Sequence, residues 1–407
     1  MDQYSDIKNG CEAARLAARS AVGQTAGERN GAIRSIADRI LSEGDAILEA
    51  NQRDAELAEG QLPVHMIRRL RLDEAGLGLL CHRLLAVAAA PDPLREDAND
   101  VRSSGFEIAV RRAPLGAVAF AYECRPEMTA LAAAACIKTA NAAILAPGFA
   151  TSGTDSAVLK AIRGALRESA YPFEAVKYID PIYRSAPDAL CKMRGTVDLL
   201  VLKDGELSQD VTVDVPVITG SRGICHVYID KGCDVPFAVR TTVRSLYSDS
   251  ASGASGHATV VLVHSEVAAD FLQSLKLAIQ RYSPEMRGCP VAREYLEDAI
   301  PAARGDWSEV HAPDSNVLAV RVVESMEQAV SHINTYGTSG VDAVMTSDAG
   351  RARLFERMTD SRVVMVNAPL SCDVLSDGVS AALGIDGLSV LTRKKYLVSG
   401  AVEKSAI

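Results

Sequence analysis

The residues best placed to do chemistry form the run Ser250-Ala251-Ser252-Gly253-Ala254-Ser255-Gly256-His257, just ahead of the apolar stretch Thr259-Val260-Val261-Leu262-Val263-His264. Ser255 and His257 stand two positions apart and share a face in an extended segment. A hydroxyl beside an imidazole base is the minimal equipment for acyl transfer. No third group that would orient the imidazole is visible nearby, and Gly253 and Gly256 equally suit a flexible loop with no reactive serine. Both readings stay open at this point. The chain has nine cysteines, an odd number, with no CxxC pair, and its seven histidines form no HExxH-like pair. Neither a disulfide framework nor a metal site follows, and the thiols read as reduced, buried, small apolar residues.

Composition narrows the setting. With 407 residues, 48% of them hydrophobic, the chain can bury a large core and is expected to form two lobes. A net charge of -9 argues against nucleic acid or an anionic membrane surface as partner. No apolar run reaches the ~18 residues a membrane span needs. The start, Met1-Asp2-Gln3-Tyr4-Ser5, lacks the basic and apolar parts of a signal peptide, so a cytoplasmic protein is expected.

The elements that must position these residues follow from periodicity. The first hundred residues read as helices: Thr25-Ala26-Gly27-Glu28 has the form of a capping box, and Ile33, Ile36, Ile40, Ile47 and Leu48 recur at helical spacing. Phe106, Ile108 and Val110 then alternate with polar residues as in a half-exposed strand, and Pro114-Leu115-Gly116 turns into a buried run from Ala117 to Tyr122. Apolar strands follow at 142–145, 175–179, 197–202 and 215–219, with a helix over 154–168 between the first two. Such alternation predicts a mostly parallel sheet covered on both faces. A second set begins after Asp230, with a helix over 235–247 and strands at 259–264, 317–323, 341–345 and 363–367. The stretch from Leu388 to Val402 reads as an amphipathic strand suited to pairing outside its own lobe.

Several segments, in order, resemble the γ-glutamyl phosphate reductase family of the aldehyde dehydrogenase superfamily. Val110-Arg111-Arg112-Ala113-Pro114-Leu115-Gly116 leads into Tyr122-Glu123-Cys124-Arg125-Pro126, similar to that family's RR-x-PLG and YE-x-RP. Lys138-Thr139-Ala140-Asn141-Ala142-Ala143-Ile144-Leu145 resembles its KTGNAVIL. Val215-Pro216-Val217-Ile218-Thr219-Gly220 and Cys225-His226-Val227-Tyr228-Ile229-Asp230 resemble its PVI-x-G and CH-x-YVD. The resemblance implies an aldehyde dehydrogenase-like α/β fold: a cofactor-type lobe over 1–232 with flap strands near 104–113, a catalytic-type lobe over 233–370, and a return segment with a C-terminal flap strand over 371–407. It also implies a homo-oligomer paired through the flap. The implied chemistry is attack of a cysteine thiolate on an acyl phosphate, then hydride transfer from NADPH to the thioester to give glutamate semialdehyde. A glutamate kinase-like partner supplying the acyl phosphate is implied as well.

This chain departs from that pattern where the chemistry should lie. Counting back from the strand at 261–264, the family cysteine falls on Ser255, and its neighbouring QRP becomes Ser250-Ala251-Ser252. An unassisted serine is protonated at neutral pH, and an ester accepts hydride less readily than a thioester. The family's RPN, whose asparagine implies an oxyanion donor, reads Arg125-Pro126-Glu127 here, and a carboxylate repels a developing oxyanion. Glu127 also suits a helix start at Met128 as a cap. The Arg-Gly-Gly-Lys-like turn implied to contact the nucleotide reads Ala146-Pro147-Gly148-Phe149, and Ser221-Arg222-Gly223 replaces a small-residue turn. Gly340-Val341-Asp342 stands for a His-Ser-acid motif, and about ten residues are missing after Leu383-Gly384. Lys138, Phe149 and Arg222 therefore mark the expected cofactor side, Arg125 and Asn367 the expected substrate side, and Ser255, Glu127 and His257 the catalytic centre. No metal is expected. Two thiols near family site segments, Cys225 and Cys372, are candidates for a recruited nucleophile. Loss of thiol-dependent reduction is the expectation, leaving a protein that docks an acyl phosphate or semialdehyde-like ligand or a kinase partner.

Overall fold

The computed structural model describes residues 3–94, 101–103, 106–203, 207–220, 224–247, 258–308, 316–370 and 387–400. Ser255, His257, Arg222 and Cys372 lie outside the described residues. The chain divides into two compact units, residues 1–221 with 374–407, and residues 222–373.

The first unit opens with helices α1 (Gln3–Ala21), α2 (Ala26–Ser42), α3 (Gly44–Ala58), α4 (Val64–Leu70) and α5 (Glu74–Ala89). The capping box starts α2 as expected: Thr25 Oγ1 accepts from the Glu28 amide, and the Glu28 carboxylate accepts from the Thr25 amide at 2.8 Å. Strands β1 (Val101–Ser103) and β2 (Phe106–Pro114) come next, then β3 (Ala117–Tyr122), α6 (Met128–Lys138), β4 (Ala142–Pro147) and α7 (Ser152–Arg167). The unit continues through β5 (Val176–Tyr178), α8 (Ala186–Leu190), β6 (Leu199–Lys203) and β7 (Val217–Gly220). Among the described residues β3 to β7 form a parallel five-stranded sheet in the order β5-β4-β3-β6-β7. From β3 the chain steps outward through β4 to β5, then returns to β6 on the other side of β3. The carboxyl end of β3 is therefore the topological switch point, where open α/β sheets bind ligands.

Helix α6 explains how the sheet is covered. Its sequence, Met-Thr-Ala-Leu-Ala-Ala-Ala-Ala-Cys-Ile-Lys, is buried at every position. A stripe of larger residues would hold α2, α5 and α7 away from the sheet, whereas alanines let the helical layers close on it.

The second unit carries β8 (Cys225–Ile229), α9 (Val235–Tyr247), β9 (Ala258–His264), α10 (Ala268–Ile279), β10 (Glu285–Gly288), α11 (Pro290–Tyr295), β11 (Ile300–Pro301), α12 (Gly305–Ser308), β12 (Val317–Val323), α13 (Met326–Tyr336), β13 (Val341–Met345), α14 (Ala349–Met358) and β14 (Val363–Val366). Among the described residues its strands form a parallel sheet ordered β11-β10-β12-β9-β8-β13-β14. Strand β8, which the sequence grouped with the first lobe, thus belongs to the second sheet, between β9 and β13.

The chain returns to the first unit with β15 (Thr392–Gly400), which pairs antiparallel with β2 over its whole length, β1 lying on the far side of β2. This small sheet is the flap. Its register sets Lys394 opposite Arg112 and Lys395 opposite Arg111. The expected strand from Leu388 starts only at Thr392, because Leu388–Leu391 winds into a 3₁₀ turn that buries Leu388 and Leu391 in the first unit's core. Among the described residues no helix is long and apolar enough to cross a membrane.

Candidate active site

A groove of about 630 Å³ lies in the first unit at the carboxyl ends of β3 and β4. Its floor is Tyr122, Glu123, Ala146, Pro147 and Gly148, and its rim includes Leu57, Leu62, Phe149 and Arg184. Two hydrogen bonds fix the floor: the Gly148 amide donates to Tyr122 O at 2.8 Å, and the Glu123 amide to Lys203 O at 3.3 Å. The Glu123 carboxyl lies so close to Gly148 that a Cβ on that glycine would overlap it. Gly148 is needed for this close approach, since any larger residue would displace the carboxyl. Burial pushes the Glu123 carboxyl above its ordinary range, and the charge of Arg184 pulls the other way.

Two more acids adjoin the floor, and Asp54 also lines the groove. Asp54 receives the Gly153 amide at 3.2 Å and the Thr154 amide and hydroxyl at 2.7 and 2.6 Å, so a carboxylate of the protein itself fills the first turn of α7. Asp155 is fully buried, bonded to Thr129 and, at 2.6 Å, to the Thr151 hydroxyl; Thr129 in turn meets the Tyr122 hydroxyl at 2.6 Å. Burial lifts Asp155 from 3.8 to about 8, against the pull of the Thr129 and Thr151 hydrogen bonds and with help from Asp54 and Glu127. The shift favours the protonated acid over the carboxylate.

The site residues expected from the sequence divide sharply. Glu127 does stand at the N-cap of α6, but its side chain makes no capping bond. It turns to Arg125 instead, 3.6 Å away, with both side chains mostly buried. The expected cap is thus replaced by an ion pair within one short loop. Lys138 does not line the groove: it ends α6, shortly before the amino end of β4, and its ammonium donates to Asn30 Oδ1, Ala88 O and Ala90 O at 2.9, 3.1 and 2.6 Å. With three acceptors satisfied it ties α6 to α2 and to the end of α5. Phe149 does line the groove, and at 61% exposure it is an apolar lip rather than a packed core residue. Asn367 closes a turn: Oδ1 accepts from the Thr346 amide at 3.0 Å, and Nδ2 donates to Thr346 O at 2.9 Å. Its left-handed φ of 52° suits asparagine, and its amide is committed to that clasp. Of the candidate thiols, Cys225 is buried in the second unit and burial pushes it up to about 12, far from thiolate character at neutral pH.

The family motifs turn out to hold structural polar residues. Asn141 accepts from the Gly116 amide at 2.7 Å and donates to Leu391 O at 2.8 Å, joining β4 to the flap's root. At the start of β8, His226 Nδ1 lies 2.8 Å from Asp342 Oδ1, whose other oxygen accepts from the Ser361 hydroxyl at 2.6 Å. At the end of β8, Asp230 takes both guanidinium contacts of Arg351 and the hydroxyls of Tyr228 and Thr346. Glu123 and Gly148 are the groove residues that sequence reasoning passed over. The available signal was a glutamate immediately after a fully apolar strand and a Pro-Gly pair at the end of the next.

The geometry can be set against known proteins. No protein-family profile matches the chain. A γ-glutamyl phosphate reductase of Listeria welshimeri is 31% identical over 410 residues, covering 97% of this chain and 98% of that one. This chain belongs to the γ-glutamyl phosphate reductase family. The crystal structure of the γ-glutamyl phosphate reductase of Thermotoga maritima superposes with a TM-score of 0.84 at 27% identity, over the whole of both chains. An NADP-dependent glyceraldehyde-3-phosphate dehydrogenase of Bacillus halodurans, solved with NADP, shares the fold at 16% identity, with a TM-score of 0.69 over 98% of this chain and 91% of that one. The match runs over nearly the whole chain, both units included.

Proposed function

We propose that this member of the γ-glutamyl phosphate reductase family no longer carries out thiol-dependent reduction with NADPH. On this reading it docks a γ-glutamyl phosphate or semialdehyde-like ligand, or the kinase that supplies one, as a homo-oligomer in the cytoplasm. The observation that carries the reading is the buried Arg125–Glu127 pair. Where the resemblance implies an amide donor for the oxyanion, a carboxylate stands and neutralises the neighbouring guanidinium. Losing one oxyanion donor alone costs ~10²-fold or more in rate. Serine at 255 removes the thiolate as well, and the burial of Cys225 speaks against its recruitment.

The test is phosphate-dependent oxidation of glutamate semialdehyde with NADP⁺ or NAD⁺, for which no turnover above background is expected. Ser255→Cys alone recovers little, and Ser255→Cys with Glu127→Asn recovers more. Turnover in the unmodified protein comparable to that of a cysteine-bearing family member would refute the proposal. Intact-mass measurement after incubation with an acyl phosphate tests the acyl-transfer alternative: an adduct on Ser255, absent in Ser255→Ala and reduced in His257→Ala, would replace docking with catalysis.

A further inference from the structure

The second unit buries two histidines side by side. His226, in β8, and His332, in α13, are 0% and 3% exposed, and their ring centroids lie 5.5 Å apart with the planes at 87°. Each has one nitrogen engaged. His226 Nδ1 lies 2.8 Å from Asp342 Oδ1, which also accepts from the His226 amide, while the Ser361 hydroxyl donates to the other carboxylate oxygen. His332 Nδ1 lies 2.9 Å from Arg321 Nη1. The two Nε2 atoms are buried and meet no hydrogen-bond partner. A buried polar atom left unpaired is costly, and folded proteins rarely leave two together. Trp307 and Tyr336 pack their rings on His332, at 5.3 and 4.7 Å between centroids, and close the surroundings.

The engaged nitrogens decide where the protons lie. A guanidinium donates and cannot accept, so His332 Nδ1 is an acceptor and the ring's proton sits on Nε2. A carboxylate accepts, so His226 carries its proton on Nδ1 and its Nε2 is a bare acceptor. One unpaired nitrogen is therefore a donor and the other an acceptor. Burial first, then the charges of His226 and Arg321, lowers His332 to about 3, which favours the neutral ring. A metal ion between the rings would need the His332 proton moved to Nδ1, against the Arg321 donor, and among the described residues no group of three or more His, Cys, Asp or Glu could hold one. A water molecule accepts on one side and donates on the other. We infer that one buried water joins His332 Nε2 to His226 Nε2, completing a chain in which every donor points the same way: Arg321 to His332, His332 to water, water to His226, His226 to Asp342. The chain ties β12, α13, β8 and β13 together and spreads one ion pair across four elements, each link polarising the next. It is independent of the chemistry at Ser255 and Glu127.

A crystal structure of the unmodified chain that shows ordered internal water tests the site, and nitrogen NMR of the labelled, sequentially assigned imidazoles tests the protons. One water within hydrogen-bond distance of both Nε2 atoms is expected, with His226 in its Nδ1–H form and His332 in its Nε2–H form. Arg321→Met removes the group that fixes His332, whose single form should then give way to a mixture of both tautomers. Arg321→Lys keeps a donor and should keep the single form. A dry gap between the rings, their direct contact, a metal ion in place of water, a charged His226 or His332, exchanged tautomers, or an unchanged His332 in folded Arg321→Met would each overturn the inference. Should Arg321→Met fail to fold, the water and the tautomers of the unmodified protein decide alone.

Discussion

Glu123 and Asp230 occupy equivalent places in the two units, each the first residue after a buried parallel strand, and they are treated in opposite ways. Asp230 is surrounded by donors from three elements. Burial alone would raise its carboxyl, but Arg351, Tyr228 and Thr346 outweigh it and hold the group below its ordinary range. Glu123 meets a glycine and an open groove, and burial wins. A carboxylate locked by donors stabilises a fold, and one held against its own desolvation remains available to a ligand. The difference separates an acid locked by donors from one that is not.

The contrast breaks most readily in stability. Asp230→Ala leaves the Arg351 guanidinium and the Tyr228 and Thr346 hydroxyls without their acceptor. Arg351 can partly reach water, so the expected loss is about 3 kcal/mol, at the low end for a broken buried pair. Glu123→Ala removes a disfavoured charge and should change stability by less than about 1 kcal/mol. Urea unfolding of both variants measures this, and similar losses would dissolve the distinction.

Lys138 sharpens it next. Lys138→Met keeps the length of the side chain but strands the Ala88 and Ala90 carbonyls, for an expected loss of about 2 kcal/mol. Because Lys138 does not line the groove, nucleotide affinity should stay unchanged in the folded variant; a selective fall in affinity would return Lys138 to the cofactor site.

A pH-dependent effect concerns Asp155, a buried acid that is not locked as an anion. Folded, it keeps its proton to about pH 8, whereas the unfolded value is 3.8. Between those values the unfolded chain sheds a proton that the folded one retains, so this group's contribution is full below pH 3.8 and fades as pH rises toward 8. Asp155→Asn should flatten the melting temperature's decline over that range, with the variant gaining on the parent at the alkaline end. Parallel profiles would show that Asp155 is ionised in the fold.

Local signals carried much of the architecture. The Thr25–Glu28 capping box lies within four residues, and the helix over 235–247 and the strands over 317–323 and 341–345 fall where their periodicity put them. The Leu388 stretch was misjudged because a 3₁₀ turn and a strand share the same short apolar spacing until burial chooses between them. Site residues were harder to read because their partners are distant. Lys138 was placed on the cofactor side because its acceptors, at α5 and α2, lie about 50 and 108 positions away. Glu127 looked like a cap because nothing in the sequence says that Arg125 folds back toward it. Glu123 was passed over because its meaning depends on Gly148, brought to it only when β3 and β4 pair.

The flap leaves a consequence of its own. Setting Lys394 against Arg112 and Lys395 against Arg111 places like charges directly across two successive rungs, and each such pair weakens the ladder. On a chain of net charge -9 this ribbon is a concentrated island of the opposite sign. Dissolved counterions or any acidic surface that settles on it lowers the internal repulsion, so its cohesion is partly borrowed from the medium. The same two strands are thus a tighter pair in brine than in dilute buffer, and their order gauges the ionic surroundings of the molecule.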